Sequence, residues 1–209
     1  MNVVEPGSAG ASLFSRVCAI LMRPRETWDL IDAETPQISE LYKSYVAPLA
    51  AIPAVCGMVG VFGLGGIRIF GVHLRPSLTG AITDMVVSYV LTLVGVYVLA
   101  WVIDELAPRF GAARGRTQAF KLAAYSGTAW WVAGIFRLIP AIGGLFMLLG
   151  GLYTLYLLYL GLPKLMKVDD DRATPYLAVS LVVTLVLTLL IGALSSCFTN
   201  YGGPLSIDT

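Results

Sequence analysis

Residues 122–162 read LAAYSGTAWWVAGIFRLIPAIGGLFMLLGGLYTLYLLYLGL, and this stretch carries a single charged side chain, that of Arg137. A straight helix rises 1.5 Å per residue, so the run would extend about 60 Å, twice the thickness of the hydrocarbon core of a bilayer. The apolar pattern is interrupted at residues 137–140, RLIP. The stretch therefore predicts two antiparallel membrane-spanning helices, at about 121–139 and 141–162.

The composition of the whole chain also indicates a membrane protein. Of its 209 residues, 57% are hydrophobic and 13% are charged, and the mean hydropathy is +0.79. In soluble domains, about a quarter of the residues are charged. Three further apolar stretches predict spans at about 46–67, 80–103 and 176–198. We therefore predict an all-α, polytopic membrane protein with a five-span membrane domain at residues 46–198.

The residues before the first span predict short helices at the membrane surface. Residues 1–11 lack the positive charge and the apolar run of a signal peptide, and we expect a loose N-terminus there. Within residues 12–45, apolar side chains recur at helical spacing around Arg16, in a segment too short to span. This pattern predicts an amphipathic interfacial helix, followed by short helices at about 24–33 and 36–45.

The distribution of positive charge predicts the orientation, because Lys and Arg in connections remain on the cytoplasmic side during insertion. If the N-terminus is cytoplasmic, 11 of the 14 Lys and Arg residues lie inside and three lie outside. The predicted topology is N-in and C-out, with residues 199–209 as an extracytoplasmic tail. The outside group is Arg68, Arg75 and Arg137.

Two adjacent carboxylates, Asp104 and Glu105, lie where the second span ends. Neighbouring side chains on a helix point about 100° apart, a poor geometry for one shared acid and base task. We predict that they lie in the headgroup zone and pair with Arg109 or Lys121. The alternative is that they bind a partner or couple to an ion.

A second charged pair falls at the outer ends of two predicted spans. Asp84 lies about one turn into the second span, and Arg137 ends the third. If these spans pack together, each charge reduces the cost of holding the other near hydrocarbon. Structural pairing is the simpler prediction, and a functional role inside the membrane is the alternative.

For the other polar side chains within the spans we expect hydrogen bonding and helix packing. Tyr153 lies deep in the fourth span and requires a partner for its hydroxyl. A stripe of small and hydroxyl residues follows the fifth span at four-residue intervals, which favours close helix packing, with a pore-lining face as the alternative. The stripe comprises Ser180, Thr184, Thr188, Gly192 and Ser196.

Several classes of function are excluded by missing features. The chain has no His-Glu-x-x-His motif, no phosphate-binding Gly-Lys-Ser/Thr loop and no paired aspartates at helix centres. The net charge of +1 gives no field that would attract nucleic acid. We predict that the protein is not an enzyme, and that it uses neither a metal nor another cofactor.

A set of short motifs resembles the Yip1 family, in its bacterial branch. The resemblance covers about residues 12–195 and implies a five-span inner-membrane protein without established chemistry. It is also consistent with self-association. The motifs are RPRETW at 23–28, YVAP at 45–48, DELAP at 104–108, KLAAYS at 121–126, the Ile139–Pro140 turn, and GLY to GLP between 151 and 163.

Eukaryotic members of that family carry an Asp-Leu-Tyr-Gly-Pro motif at the end of span two and a longer cytoplasmic N-terminal region. They are implicated in vesicle traffic through contacts with small GTPases and with one another. This chain has DELAP at residues 104–108 and only about 45 residues before its first span. These departures from the family pattern argue against GTPase binding by this chain.

Two functional hypotheses remain open. The first is a non-enzymatic scaffold or adaptor that binds another membrane protein or a second copy through its cytoplasmic face, with a role in membrane organisation or trafficking. The second is a small transporter or channel, acting as an oligomer, that uses Asp84 and Arg137. A hydrated cavity among the spans favours the second, and a dry core favours the first. The candidate residues are Asp104, Glu105, Arg109, Lys121, Tyr125, Asp84, Arg137 and Tyr153.

Overall fold

The computed structural model describes residues 13–60, 67–69, 72–75, 77–112, 114–168, 170–200 and 206–208. The predicted N-terminus at 1–11, and most of the tail at 199–209, lie outside this part of the chain. The described residues are mainly helical, as predicted. Their helices are α1 (Leu13–Met22), α2 (Pro24–Ala33), α3 (Ile38–Leu41), α4 (Ala47–Met58), α5 (Leu78–Leu106), α6 (Arg116–Ser126), α7 (Thr128–Ala133), α8 (Pro140–Met166) and α9 (Asp170–Asn200).

Within the described residues, three helical segments are long and apolar enough to cross a membrane. They are Leu78–Phe110, Ala141–Met166 and Thr174–Ser195. The first of them is α5 extended by a 3₁₀ turn, and the others belong to α8 and α9. These segments overlap the predicted second, fourth and fifth spans.

The regions of the other two predicted spans are helical but irregular. A π-helical turn at Tyr42–Val46 joins α3 to α4, and residues 61–66 of the predicted first span lie outside the described part. The predicted third span is divided into α6, α7 and a 3₁₀ turn at Gly134–Leu138. Within the described residues, neither region therefore forms one long, regular helix.

The chain reverses direction between the 3₁₀ turn and α8. Ile139 has extended backbone angles, φ −112° and ψ 96°, and Pro140 is the first residue of α8. A proline disfavours the helical conformation of the residue before it, and it is well suited to the first turn of a helix. The reversal therefore follows from the local sequence. We call this end of the bundle the turn end.

A small antiparallel sheet was not predicted. It contains β1 (Ile67–Ile69), β2 (Val72–Arg75) and β3 (Ser206–Asp208), in the order β1-β2-β3. Arg68 pairs with His73, and His73 pairs with Asp208 on the other side of β2. The sheet brings the connection before α5 together with the residues that follow α9.

Two features of the bundle position the candidate site. The longest helices, α5 and α9, pack along each other, whereas α9 has little contact with α8. A close contact joins the 3₁₀ turn to α4: a Cβ at Gly134 would lie 2.5 Å from the Cβ of Pro53 and 2.7 Å from its Cα. Only glycine allows this approach.

Large, fully buried side chains concentrate at the end of the bundle opposite the turn end. They include Trp28, Phe120, Ile103, Leu122 and Leu162. We call this the cap end, because α2 packs there on α8, and α1 packs on α2 and α7. The outward faces of α5, α8 and α9 present exposed apolar side chains such as Val86, Leu145 and Leu189, as expected for helices that face lipid.

Candidate functional site

The N-terminal cap, formed by α1 and α2, is built into the protein core. Trp28 of α2 is fully buried and lies edge-on to Tyr125, with 6.3 Å between ring centroids. A Cβ at Gly161 would lie 2.7 Å from the indole, so glycine at this point of α8 allows the ring to pack closely. The apolar face of α2 is therefore covered by protein.

The amphipathic helix predicted to lie on the membrane surface is partly covered as well. Val17 and Ile20 of α1 are buried in the core, while Phe14 and Met22 on the other side are exposed. The apolar periodicity around Arg16 thus reflects packing against the bundle on one face of α1.

Lys121 binds the end of α2. Its side chain is fully buried, and its ammonium donates hydrogen bonds to the carbonyls of Ile31 at 2.6 Å and Glu34 at 2.7 Å. The Asp32 carbonyl lies at 3.4 Å. Carbonyls at a helix C-terminus lack partners within the helix and carry partial negative charge. Lys121 therefore holds α2 on α6, and it does not pair with Asp104 as the sequence analysis allowed.

Tyr153 plays a comparable part for α1. Its hydroxyl donates to the Leu21 carbonyl at 2.7 Å, in the last turn of α1. The sequence predicted that this hydroxyl needs a partner, but the partner is a backbone group 132 residues away. Both helices of the cap are thus fixed through their C-terminal carbonyls.

Ion pairs surround these contacts. Arg16 pairs with Glu34 at 2.6 Å, and Lys164 of α8 pairs with Asp29 of α2. Lys167 also pairs with Asp32, at 3.7 Å. Exposed pairs stabilise little individually, but together they fix the orientation of the cap.

Tyr125 belongs to an aromatic cluster in the same region. Its ring lies 4.6 Å from that of Tyr45 and packs on Trp28. The Tyr45 hydroxyl shares a hydrogen bond of 2.8 Å with Thr128. Tyr125 is buried and takes part in packing.

Asp104 and Glu105 close the connection between α5 and α6. Asp104 is 4% exposed and accepts a hydrogen bond from the Gly115 N–H at 2.8 Å, with Arg116 3.9 Å away. Glu105 pairs with Arg114 at 2.7 Å. The predicted partners of these acids, Arg109 and Lys121, are wrong: in the described part of the chain, the cations that pair with them are Arg114 and Arg116. The sequence could not show that the chain folds back at Gly115.

A cavity of about 550 Å³ lies among α4, α5, α6, α7, α8 and α9. It extends from the turn end toward the densely packed cap end. Most of its wall is apolar, and the polar groups come from several helices. The polar lining residues are Asp84, Ser88, Thr92, Ser126, Arg137, Thr154, Thr184, Thr188 and Ser195.

Asp84 and Arg137 both line this cavity, but they do not form the predicted ion pair. Within the described residues, no ion pair of 4.0 Å or less joins them. Arg137 instead donates from Nη1 to the Pro53 carbonyl at 3.0 Å, and its guanidinium packs on Gly57. The close approach of Gly134 to α4 brings the arginine to this carbonyl.

The hydroxyl groups of the cavity wall differ in whether they can donate a hydrogen bond to a ligand. Thr92, Thr184 and Thr188 each donate to the carbonyl four residues earlier, at 2.7–2.8 Å. They therefore present only acceptor lone pairs to the cavity. Ser126 is 2% exposed and its Oγ has no hydrogen-bond partner in the described part of the chain.

The predicted small-residue stripe of α9 divides between packing and lining. Ser180 is buried, while Thr184, Thr188 and Gly192 line the cavity. A Cβ at Gly192 would have no heavy atom within 4 Å, so this glycine faces open space and not a packed helix. The side chain of Ser196 lies outside the described part.

Five hydroxyl residues line the cavity but were not predicted from the sequence: Ser88, Thr92, Ser126, Thr154 and Ser195. Ser126 is the last residue of α6, and Thr154 lies within the apolar helix α8, where it accepts a hydrogen bond from the Trp130 N–H at 3.2 Å. The available signal was weak, because isolated hydroxyls in membrane helices are common packing residues.

Comparisons with known proteins support one family. A family model described as Yip1 domain matches residues 19–191. The inner membrane protein YohC of Escherichia coli strain K12 is 27% identical over 191 residues, which cover 90% of this chain and 97% of that protein. YohC of the O6:H1 strain gives the same values. No solved structure matches the chain.

Replacing Lys121 by Met should destabilise the protein, because the α2 carbonyls lose a charged donor in a buried site. We expect a loss of about 1.5–3 kcal/mol in the free energy of unfolding, together with faster proteolysis within residues 13–33. Thermal unfolding in detergent, followed by tryptophan fluorescence, measures the first effect. Lys43→Met is the matched control, since Lys43 is exposed. Equal stability of the two variants would contradict this role of Lys121.

Proposed function

We propose that this chain, which belongs to the Yip1 domain family, is a non-enzymatic protein of a bacterial inner membrane that admits a ligand to the cavity between its helices. The observation that carries this proposal is the cavity of about 550 Å³. Its volume lies within the usual range of ligand pockets, about 300–1,000 Å³. A scaffold requires no such space.

The charges in the cavity add to this argument. Ionisable side chains within membrane segments are costly and usually mark a site of function. Arg137 is held by one carbonyl, that of Pro53, and Asp84 lies elsewhere in the same wall. Because no ion pair within 4.0 Å joins the two in the described part of the chain, each can contact a ligand. If the protein is a transporter, binding of that ligand in the cavity is the first step of transport.

Several observations favour a binding function without catalysis. Asp104 and Glu105, the adjacent carboxylates, are engaged in closing a connection. Lys121 is engaged by backbone carbonyls. The name of YohC states a location and no reaction.

The proposal includes five crossings, made by α4, α5, the α6–α7 segment, α8 and α9, with the N-terminus in the cytoplasm. The pairing of β2 with β3 supports this count. Four crossings separate these strands along the chain, and an even number returns the chain to the same side. The excess of Lys and Arg at the cap end supports the orientation.

Reporter fusions test the topology. Alkaline phosphatase fused after Ala112 should be inactive and green fluorescent protein at this point should fluoresce, because the α5–α6 connection is cytoplasmic. Fusions after Thr209 should show the opposite pattern. Three crossings separate the two positions, so the same pattern at both would contradict the five-span arrangement. If alkaline phosphatase is active after Ala112 and inactive after Thr209, the predicted orientation is wrong but the number of crossings stands.

Cysteine labelling in membranes tests whether the cavity admits molecules. In a chain whose three native cysteines are replaced by alanine, Ser88→Cys should react much faster than Val90→Cys with a small methanethiosulfonate. Ser88 lines the cavity, while Val90 on the same helix is exposed on its outer surface. A thiol in hydrocarbon forms little thiolate and reacts slowly. Ser88 lies one helical turn from Asp84, at the charged end of the cavity, so equally slow reactions would contradict a cavity that is open at this end.

An adaptor function is the second candidate, and the fixed N-terminal cap favours it. Because Lys121, Tyr153 and the ion pairs hold α1 and α2 on the bundle, the cap presents a surface of constant shape. Such a surface suits another membrane protein or a second copy. Photocrosslinking from position 109 in intact cells tests it, with position 189, on the lipid-facing side of α9, as control. Recovery of neither partner nor second copy from position 109 would contradict the adaptor function.

A further inference from the structure

We propose that the ligand of the cavity is a zwitterionic phospholipid with an ammonium headgroup, which enters from the bilayer between α8 and α9. Its phosphate binds Arg137, its ammonium binds Asp84, and one acyl chain occupies the apolar part of the cavity. This inference rests on the proposed function, because it requires that the cavity admits a ligand.

The opening of the cavity determines where the ligand comes from. Leu148 and Leu152 of α8 and Leu185 of α9 line the cavity, yet they are 61%, 57% and 54% exposed. They belong to two of the three segments that are long and apolar enough to cross a membrane. Because α9 packs along α5 and contacts α8 only lightly, a gap remains between α8 and α9. A gap bordered by exposed leucines faces lipid chains.

The interior of the cavity suits a hydrocarbon chain. Val96 and Leu99 of α5 and Leu155 and Leu158 of α8 form its wall toward the cap end. The threonine hydroxyls nearby are satisfied by their own helices. A polar solute would lose its hydration there and gain few donors besides the Ser126 hydroxyl, whereas an acyl chain replaces one apolar contact with another.

The charged residues suit the headgroup. A guanidinium has five N–H donors, and the structure gives one bond from Arg137, that to the Pro53 carbonyl. Guanidinium groups bind phosphate oxygens well. Asp84, in the same wall, supplies the opposite charge for an ammonium group. Both residues lie at the turn end, so the headgroup belongs to the leaflet on that side.

The chemistry of this pair also sets the preference among lipids. A phospholipid with an ammonium headgroup matches both charges, whereas an anionic phospholipid such as phosphatidylglycerol leaves Asp84 without a positive partner. We therefore expect phosphatidylethanolamine to bind better than phosphatidylglycerol, and we expect Asp84→Asn to reduce this difference.

Photocrosslinking in vesicles tests the site. The full chain is reconstituted in phosphatidylglycerol vesicles with a small fraction of phosphatidylethanolamine that carries a diazirine near the end of one acyl chain, and crosslinked peptides are mapped by mass spectrometry. We expect crosslinks at the inner wall, near Leu158. Arg137→Met should reduce them about tenfold, as expected for loss of a charged hydrogen bond. Unchanged crosslinking in a folded Arg137→Met variant would overturn the headgroup assignment.

A second pair of variants tests the entrance without altering the charges. Leu152→Trp should block the gap and remove the crosslinks near Leu158. Leu145→Trp, on the same helix, should leave them unchanged, because Leu145 is exposed but does not line the cavity. Equal crosslinking in the two tryptophan variants would overturn entry between α8 and α9.

The outcome also separates this inference from the function on which it rests. If Ser88→Cys reacts rapidly but no crosslink maps to the cavity, the cavity admits ligands and the lipid assignment is wrong. If Ser88→Cys reacts as slowly as Val90→Cys and no crosslink maps to the cavity, the proposed function itself fails. Equal crosslinking by probes of phosphatidylethanolamine and phosphatidylglycerol would overturn the role of Asp84 in lipid choice.

Discussion

The contact between the 3₁₀ turn and α4 determines the geometry of the turn end. Gly134 lies against the ring and backbone of Pro53, and Gly57 and Gly60 of the α4 region provide space for Arg137. A side chain at Gly134 or Gly60 would collide with backbone atoms. This approach holds α4 beside the chain reversal, and it directs a guanidinium to a carbonyl of α4 at the edge of the cavity. The same contact thus determines both the wall of the cavity at the turn end and the position of its positive charge.

The cap end is held by a different kind of interaction. Lys121 and Tyr153 donate to carbonyls at the ends of α2 and α1, and Trp28 fills the space beside Gly161. The bundle is therefore closed and densely packed at one end, while a cavity extends from the other. This difference between the two ends favours entry of a ligand into the cavity from the leaflet at the turn end.

The broad features of the fold could be predicted from composition and length. The apolar run 122–162 predicted helices that reverse near Pro140, because no helix of that length fits a bilayer. The family resemblance followed from the order of short motifs, and the match over residues 19–191 confirms it. The division of the third predicted span at Gly127 was not predicted, since one glycine in an apolar helix is also compatible with continuity.

The candidate site was predicted only in part. Asp84 and Arg137 were identified from their charge in apolar surroundings, and both line the cavity. Their separation depends on the Pro53 carbonyl, a backbone group that no sequence pattern marks. Lys121, Asp104 and Tyr153 also bind backbone groups distant in sequence. Side-chain chemistry alone can indicate that such a residue needs a partner, but the partner depends on the tertiary fold.

The central claim is that the bundle holds a cavity that opens between α8 and α9 and contains lipid. A high-resolution structure of the protein in nanodiscs containing phosphatidylethanolamine would test it most directly. The account predicts elongated density that enters between Leu152 and Leu185 and ends in a headgroup at Arg137. A bundle in which α9 packs on α8 and side chains fill the space beside Ser126 would contradict it.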